Sequence, residues 1–186
     1  NFIDGELRAS QSTEWLDVTN PATGEIIAHL PLATENEVNE AVGSAQRAFA
    51  TWSEIPIVER AQVLFRFKQK LEEHFQELAE LVVIDNGKTL AEAKGSVRRG
   101  IEVVDFATGI PSLIKGEVVE GIASGVDIEM IRQPLGVVAG FTPFNFPVMV
   151  PLWMIPIALA CGNTFVLKPS ERAPLAAIRL AQLFSE

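Results

Sequence analysis

Residues 136–171 read GVVAGFTPFNFPVMVPLWMIPIALACGNTFVLKPSE, and the fold turns on this stretch. Gly136 to Phe141 predicts a short buried strand, and Thr142 to Phe146 a turn. An apolar segment from about Pro147 to Cys161 predicts a helix. Gly162-Asn163 breaks it, and Thr164 to Leu167 predicts a second strand. Strand, turn, helix and strand make a β-α-β unit whose two strands run parallel. Such a unit sets a polar turn at the carboxyl end of the first strand and Lys168 at the end of the second. In open parallel sheets that edge is where ligands sit.

No charge occurs from Gln133 to Leu167, so a membrane helix is the alternative to weigh. A membrane span needs about 20 unbroken apolar residues. Pro143, Pro147, Pro151, Pro156 and the Gly162-Asn163 break all interrupt this run. A helix and two strands buried in an α/β sheet account for it instead. Apolar residues are 48% and charged residues 21% of the chain, a balance that supports a packed core rather than disorder. The net charge of -9 supplies no basic footprint and argues against nucleic acid as a partner. One cysteine excludes an internal disulfide and is compatible with a reducing cytosol, so a cytoplasmic location is expected. The opening NFIDGE shows no basic-then-apolar leader.

Upstream, the first thirty residues are strand-like and rich in turns. Asp4-Gly5 signals a hairpin, and Asn20-Pro21 with Thr23-Gly24 makes a turn before the edge strand EIIAHLPLA. Thr34 and Glu37 form a capping box that opens a helix to about Thr51, with Val38, Ala41, Val42, Ala45 and Phe49 on its apolar face. One long helix is expected from Pro56 to Asp85, with Phe65 and eight other apolar residues facing inward and Asn86-Gly87 as its left-handed cap. A second capping box, Thr89 to Glu92, starts a third helix that Gly109 and Pro111 end. These three helices are expected to form a layer on the sheet. Residues 116–135 return to β structure, with Gly121 to Gly125 turn-like and VDIEMIRQ alternating as a half-exposed antiparallel strand. This hairpin is either a decorative loop or a subunit-docking arm. A final helix begins at APLAAIRLAQLF. Two parallel strands leave a sheet edge open, so the domain is incomplete by its own physics.

Three places carry candidate chemistry. Asn145, among Phe141, Phe144 and Phe146, presents amide donors near a helix start, where an oxyanion finds what it needs. The simpler reading from spacing alone is a turn residue that caps the helix. Lys168-Pro169-Ser170-Glu171 stands where a nucleotide-binding sheet reaches the adenosine ribose, or is a solvated loop. Cys161 ends an apolar helix with no basic residue close in sequence, which reads as a structural thiol rather than a nucleophile. His29 and His74 lie far apart and support no metal site, and Glu72, Glu73 and Glu77 read as a solvated face. No GxGxxG or GxxxxGK occurs.

The stretches NPATGEII, ERA at 59–61, DNGKTL, RQPLGVVAGFTPFNFP and ALACGNTFVLKPSERAP together resemble the aldehyde dehydrogenase superfamily, in order and over essentially the whole chain. Within it the chain is most similar to the CoA-acylating methylmalonate-semialdehyde branch. The resemblance implies an α/β fold of which this is the N-terminal part: an incomplete Rossmann-like NAD domain with preceding helices and a projecting hairpin. Residues 1–114 would supply its first strands and helices, 115–135 an oligomerisation hairpin, and 136–186 the first β-α-β-α of the sheet.

The resemblance also implies roles. Phe141, Thr142, Pro143 and Phe144 would line the nicotinamide end of NAD, with Lys168, Ser170 and Glu171 at the adenosine ribose. Asn145 would donate to the oxyanion formed when a cysteine thiolate attacks the aldehyde, and CoA would take the acyl group as co-substrate. Arg99, with Arg98 next, would meet the substrate carboxylate. A homo-oligomer through the hairpin is implied, with no membrane partner. Asp85 departs from the family, which commonly has Glu there. Members are much longer than 186 residues, so the catalytic cysteine and the pyrophosphate contacts are expected beyond Glu186, and this chain alone is expected to be inactive. The alternatives are a hydrolytic branch of the superfamily and a truncated, non-enzymatic association module.

Overall fold

A computed structural model describes residues 1–186. β1 (Phe2–Ile3) and β2 (Glu6–Leu7) form the expected hairpin, and Asp4 and Gly5 take φ of 54° and 76° in its turn. Two consecutive positive φ values match the right-handed strand twist. β3 (Trp15–Thr19) pairs antiparallel with β4 (Ile26–Pro31) across the Asn20–Glu25 turn. Both capping boxes are present, Thr34 with Glu37 at α1 (Glu35–Trp52) and Thr89 with Glu92 at α4 (Leu90–Thr108).

The expected single helix over 56–85 is two. α2 (Ile57–Glu73) and α3 (Phe75–Asn86) are separated by His74, at φ -101° and ψ 17°. His74 Nδ1 lies 2.5 Å from Glu77 Oε2, one turn into α3, an interaction across the joint that apolar periodicity does not register. Gly87 at φ 80° ends α3 in the left-handed conformation, as Asn86-Gly87 predicts. α4 gives way at Gly109 to a single turn, α5 (Ile110–Leu113). Three apolar residues read as inward, Val38, Val42 and Phe65, are exposed. Helical periodicity marks an apolar face, but only the neighbours decide whether that face is covered.

β5 (Glu117–Ala123) and β6 (Val126–Met130) form the hairpin, and every residue of both strands is exposed. The turn is tighter than 121–125: β5 continues through Gly121, at φ 64°, with a shift of register, and Ser124-Gly125 closes it. At its base a Cβ on Gly116 would overlap the Met130 carbonyl oxygen, so the two arms meet only because residue 116 has no side chain.

β7 (Val137–Phe141) and β8 (Thr164–Lys168) run parallel in register from Val137–Thr164 to Phe141–Lys168. α6 (Met149–Ala160) connects them, starting two residues later than expected, and α7 (Leu175–Ser185) follows β8. α1 docks on this pair: Thr164 Oγ1 donates to Ala45 O at 2.9 Å, and Trp52 Nε1 to Leu159 O at 3.0 Å. The other upstream helices do not form the expected layer on the strands. α2 and α3 pack chiefly on α4, and all three pack with α6 and α7 around Leu71, Leu78, Val97, Ile101, Leu152 and Leu180, all at most 2% exposed. Burying Leu152 and its neighbours contributes roughly 1.5–3 kcal/mol per large side chain. No helix is long and apolar enough to cross a membrane.

Candidate active site at the carboxyl edge of the parallel strands

The register places Phe141 opposite Lys168, and Thr142 N donates to Lys168 O at 3.1 Å. The two candidate stretches therefore leave adjacent strands side by side. Thr142 is buried and anchors the turn, while Phe141, Pro143, Phe144 and Asn145 are exposed. Phe141, 76% exposed at a strand end, is an apolar surface without a partner within the chain.

Asn145 does not cap the helix. The N-cap of α6 is Val148, no side chain bonds the first turn, and the Asn145 side-chain amide has no hydrogen-bond partner in the chain. Its backbone is held instead: Lys88 Nζ donates to Asn145 O and sits 3.9 Å from the centroid of the Phe146 ring. Burial pushes the Lys88 ammonium below its usual range, and Glu92 opposes that shift. Asn86 Nδ2 donates to Phe144 O at 2.8 Å. The DNGK stretch was visible as a motif, but nothing in its spacing announced that it would reach this turn.

On the second strand, Lys168 Nζ meets Glu171 Oε2 at 2.8 Å, both side chains about half exposed. The Lys168 hydrogen bond holds the Glu171 carboxyl below the usual range. Ser170 is buried and its Oγ accepts from Arg172 N at 3.2 Å, so it shapes the loop that carries the pair. The pair leaves a donor and an acceptor side by side and open to solvent at this edge. Arg172 reaches back, its guanidinium 5.4 Å from the centroid of the Phe144 ring.

Arg99 is exposed on α4 with no ion pair, and no contact joins it to either stretch. Arg98 is engaged elsewhere, with both Nη atoms on the Glu72 carboxylate at 2.5 and 2.9 Å and its guanidinium over Phe75. Glu77 is likewise bound, by Arg179 Nε at 2.7 Å, so Glu72 and Glu77 form interhelix ion pairs rather than a plain solvated face. Cys161 does have a basic neighbour, Arg60 from α2, whose charge acts to lower its pKa. Burial prevails and pushes the thiol up. Arg60 itself is spent on the carbonyls of Ala160, at 3.1 Å, Ser53 and Ile55, which ties α2 to the end of α6. No cluster of three or more His, Cys, Asp or Glu side chains is placed to hold a metal.

The aldehyde dehydrogenase family model matches residues 7–186. The chain belongs to the aldehyde dehydrogenase family. Among family members, it is 56% identical over all 186 residues to malonate-semialdehyde dehydrogenase 1 of Geobacillus kaustophilus, of which it covers 38%. It superposes with a TM-score of 0.95 on a methylmalonate-semialdehyde dehydrogenase from Oceanimonas doudoroffii, at 50% identity over 98% of this chain and 37% of that one. The same score, at 47% identity over 98% and 37%, holds for a Sinorhizobium meliloti protein assigned as a methylmalonate-semialdehyde dehydrogenase and complexed with NAD. The chain thus spans less than two fifths of the length of the aldehyde dehydrogenases it matches, and it is an N-terminal part of their fold.

Proposed function

We propose that these residues are the N-terminal part of an NAD-dependent dehydrogenase that oxidises malonate or methylmalonate semialdehyde to an acyl-CoA. The observation that carries this reading is the partnerless Asn145 amide, in the turn that leaves one of two parallel strands at the edge where the exposed Lys168–Glu171 pair leaves the other. An amide that neither caps a helix nor bonds a neighbour is free to donate to a developing oxyanion. Lys168 and Glu171 hold the adenosine ribose, and the Glu171 carboxylate repels a 2′-phosphate, which favours NAD over NADP. Bound NAD supplies the hydride acceptor. Phe141, Pro143 and Phe144 present apolar surface that keeps water from the nicotinamide end, with Thr142 anchoring them from beneath. Asn145 Nδ2 donates to the aldehyde oxygen as a cysteine thiolate adds to the carbonyl carbon, and it stabilises the negative charge until hydride leaves and a thioester remains. CoA then takes the acyl group, after loss of carbon dioxide when the substrate carries a malonic carboxylate.

Cys161 is not that nucleophile, because it is partly buried with a raised pKa. The 186 residues by themselves are therefore inactive in this reading. We assign Arg99, a cation on α4 without an ion pair, to the substrate carboxylate. The hairpin of residues 115–135 presents Val118, Ile122, Val126, Ile128 and Ile131 to solvent, and we assign it to association with further copies of the chain. The cytoplasm is the compartment we propose, in keeping with a single unbridged thiol.

Asn145→Ala in a full-length chain tests the reading. Turnover of malonate semialdehyde with NAD and CoA falls by about 100-fold or more if the amide is an oxyanion donor. An unchanged rate removes that role. Omitting CoA separates the acylating branch from a hydrolytic one, which turns over without it.

A further inference from the structure

The corner between α3 and α4, Asp85-Asn86-Gly87-Lys88, touches the Phe144–Asn145 turn and the first turn of α7. Asn86 and Lys88 donate to two consecutive backbone carbonyls, those of Phe144 and Asn145. Neither carbonyl accepts from a backbone N–H, so side chains 58 and 57 residues away supply their donors. Asp85, 2% exposed, reaches the opposite way and accepts from Ala176 N at 3.3 Å, in the first turn of α7. That turn follows directly on the loop that carries Ser170 and Glu171. Arg172 over the Phe144 ring closes the triangle, since the loop also touches the turn. The corner is itself fixed: Gly87 sits at φ +80°, and a Cβ there would lie 2.8 Å from Pro21 Cγ.

We propose that this corner is a positioning element, with Lys88 and Asn86 aiming the Asn145 amide and Asp85 setting the Lys168–Glu171 pair. The proposal rests on the reading of those groups given above. Lys88 holds the peptide plane from which the Asn145 side chain departs, and that side chain has no other restraint. Misplacing a reacting group by about 1 Å costs on the order of 100-fold in rate. Lys88 is a positioning residue that acts through Asn145, and Asp85 acts through the start of α7.

A double-mutant cycle in a full-length chain tests it, with turnover, NAD affinity by titration calorimetry and melting temperature measured on each variant. Lys88→Met is expected to lower kcat by about 10- to 100-fold while the Kd for NAD stays within about twofold. On an Asn145→Ala background the same substitution costs nothing further, because the group it positions is gone. Asp85→Ala is expected to weaken NAD binding by about tenfold, read without turnover. If Lys88→Met lowers the melting temperature by more than about 10 °C, Lys88→Gln, with a donor on a shorter stem, takes its place in the cycle. Losses that multiply in full, or a Lys88→Met enzyme at full kcat beside a crippled Asn145→Ala, overturn the positioning role of Lys88 alone. An unchanged Kd in Asp85→Ala overturns that of Asp85. Full kcat in Asn145→Ala refutes the oxyanion reading, and the role of Lys88 falls with it.

Discussion

Asp85→Asn separates two forces acting on one buried carboxyl. Burial pushes the Asp85 pKa up from an ordinary 3.8 to about 6, against the backbone N–H groups of Ala176 and Leu175, which favour the charged form. One of its oxygens, Oδ1, has no partner at all. At about 1.4 kcal/mol per pH unit, moving the pKa that far costs the ionised protein about 2–3 kcal/mol. The sign follows from linkage: a carboxyl with a raised folded-state pKa contributes stability below pH 3.8, and that contribution is lost as pH rises through 6. Asparagine keeps an acceptor for Ala176 N and cannot ionise, so every other titrating group cancels when the two proteins are compared. Urea unfolding followed by circular dichroism between pH 3.5 and 7.5 is expected to show the two proteins nearly equal at the acid end. The Asn variant then gains about 2–3 kcal/mol by neutral pH, or roughly 5–10 °C in melting temperature. A flat difference refutes the reasoning. A wild-type protein that gains on the variant as pH rises refutes it more strongly, since the α7 terminus would then prevail over burial.

Glu37 behaves in the opposite sense. The backbone N–H of Thr34 and further donors hold its carboxyl at about 2, so the stability it contributes is present above pH 4.5 and lost as pH falls through 2. Glu37→Gln is expected to flatten the acid limb of the unfolding profile below pH 4.5, and an unaltered limb refutes the assignment. At Gly100 a Cβ would lie 2.8 Å from Leu152 Cδ1 and 3.4 Å from the Met149 backbone, where α4 crosses α6. Gly100→Val is expected to destabilise by about 1–3 kcal/mol in urea unfolding despite the removal of a helix glycine; a stabilised variant shows that the crossing has room.

Local signals in this chain were legible because they act over three or four residues. Thr34 and Thr89 cap their helices in reciprocal boxes with the glutamates three positions on, Asp4-Gly5 turns a hairpin, and Gly87 ends α3. The β-α-β unit was legible too, since a charge-free run cut by Pro and Gly allows few other folds, and its turn and Lys168 fell where the register now puts them. The break at His74 escaped, because the apolar period continues on both sides of it. Spacing alone favoured Asn145 as a helix cap, and that reading fails, since a cap and a free amide ask for the same residue in the same place. Tertiary structure decided it by starting α6 at Val148 and bringing Lys88 to the Asn145 carbonyl. The same holds for Arg60 beside Cys161 and Asp85 beneath α7, contacts across 101 and 91 residues respectively. Hydrogen bonds and desolvation act over a few ångströms of space, and separation along the chain carries no record of them.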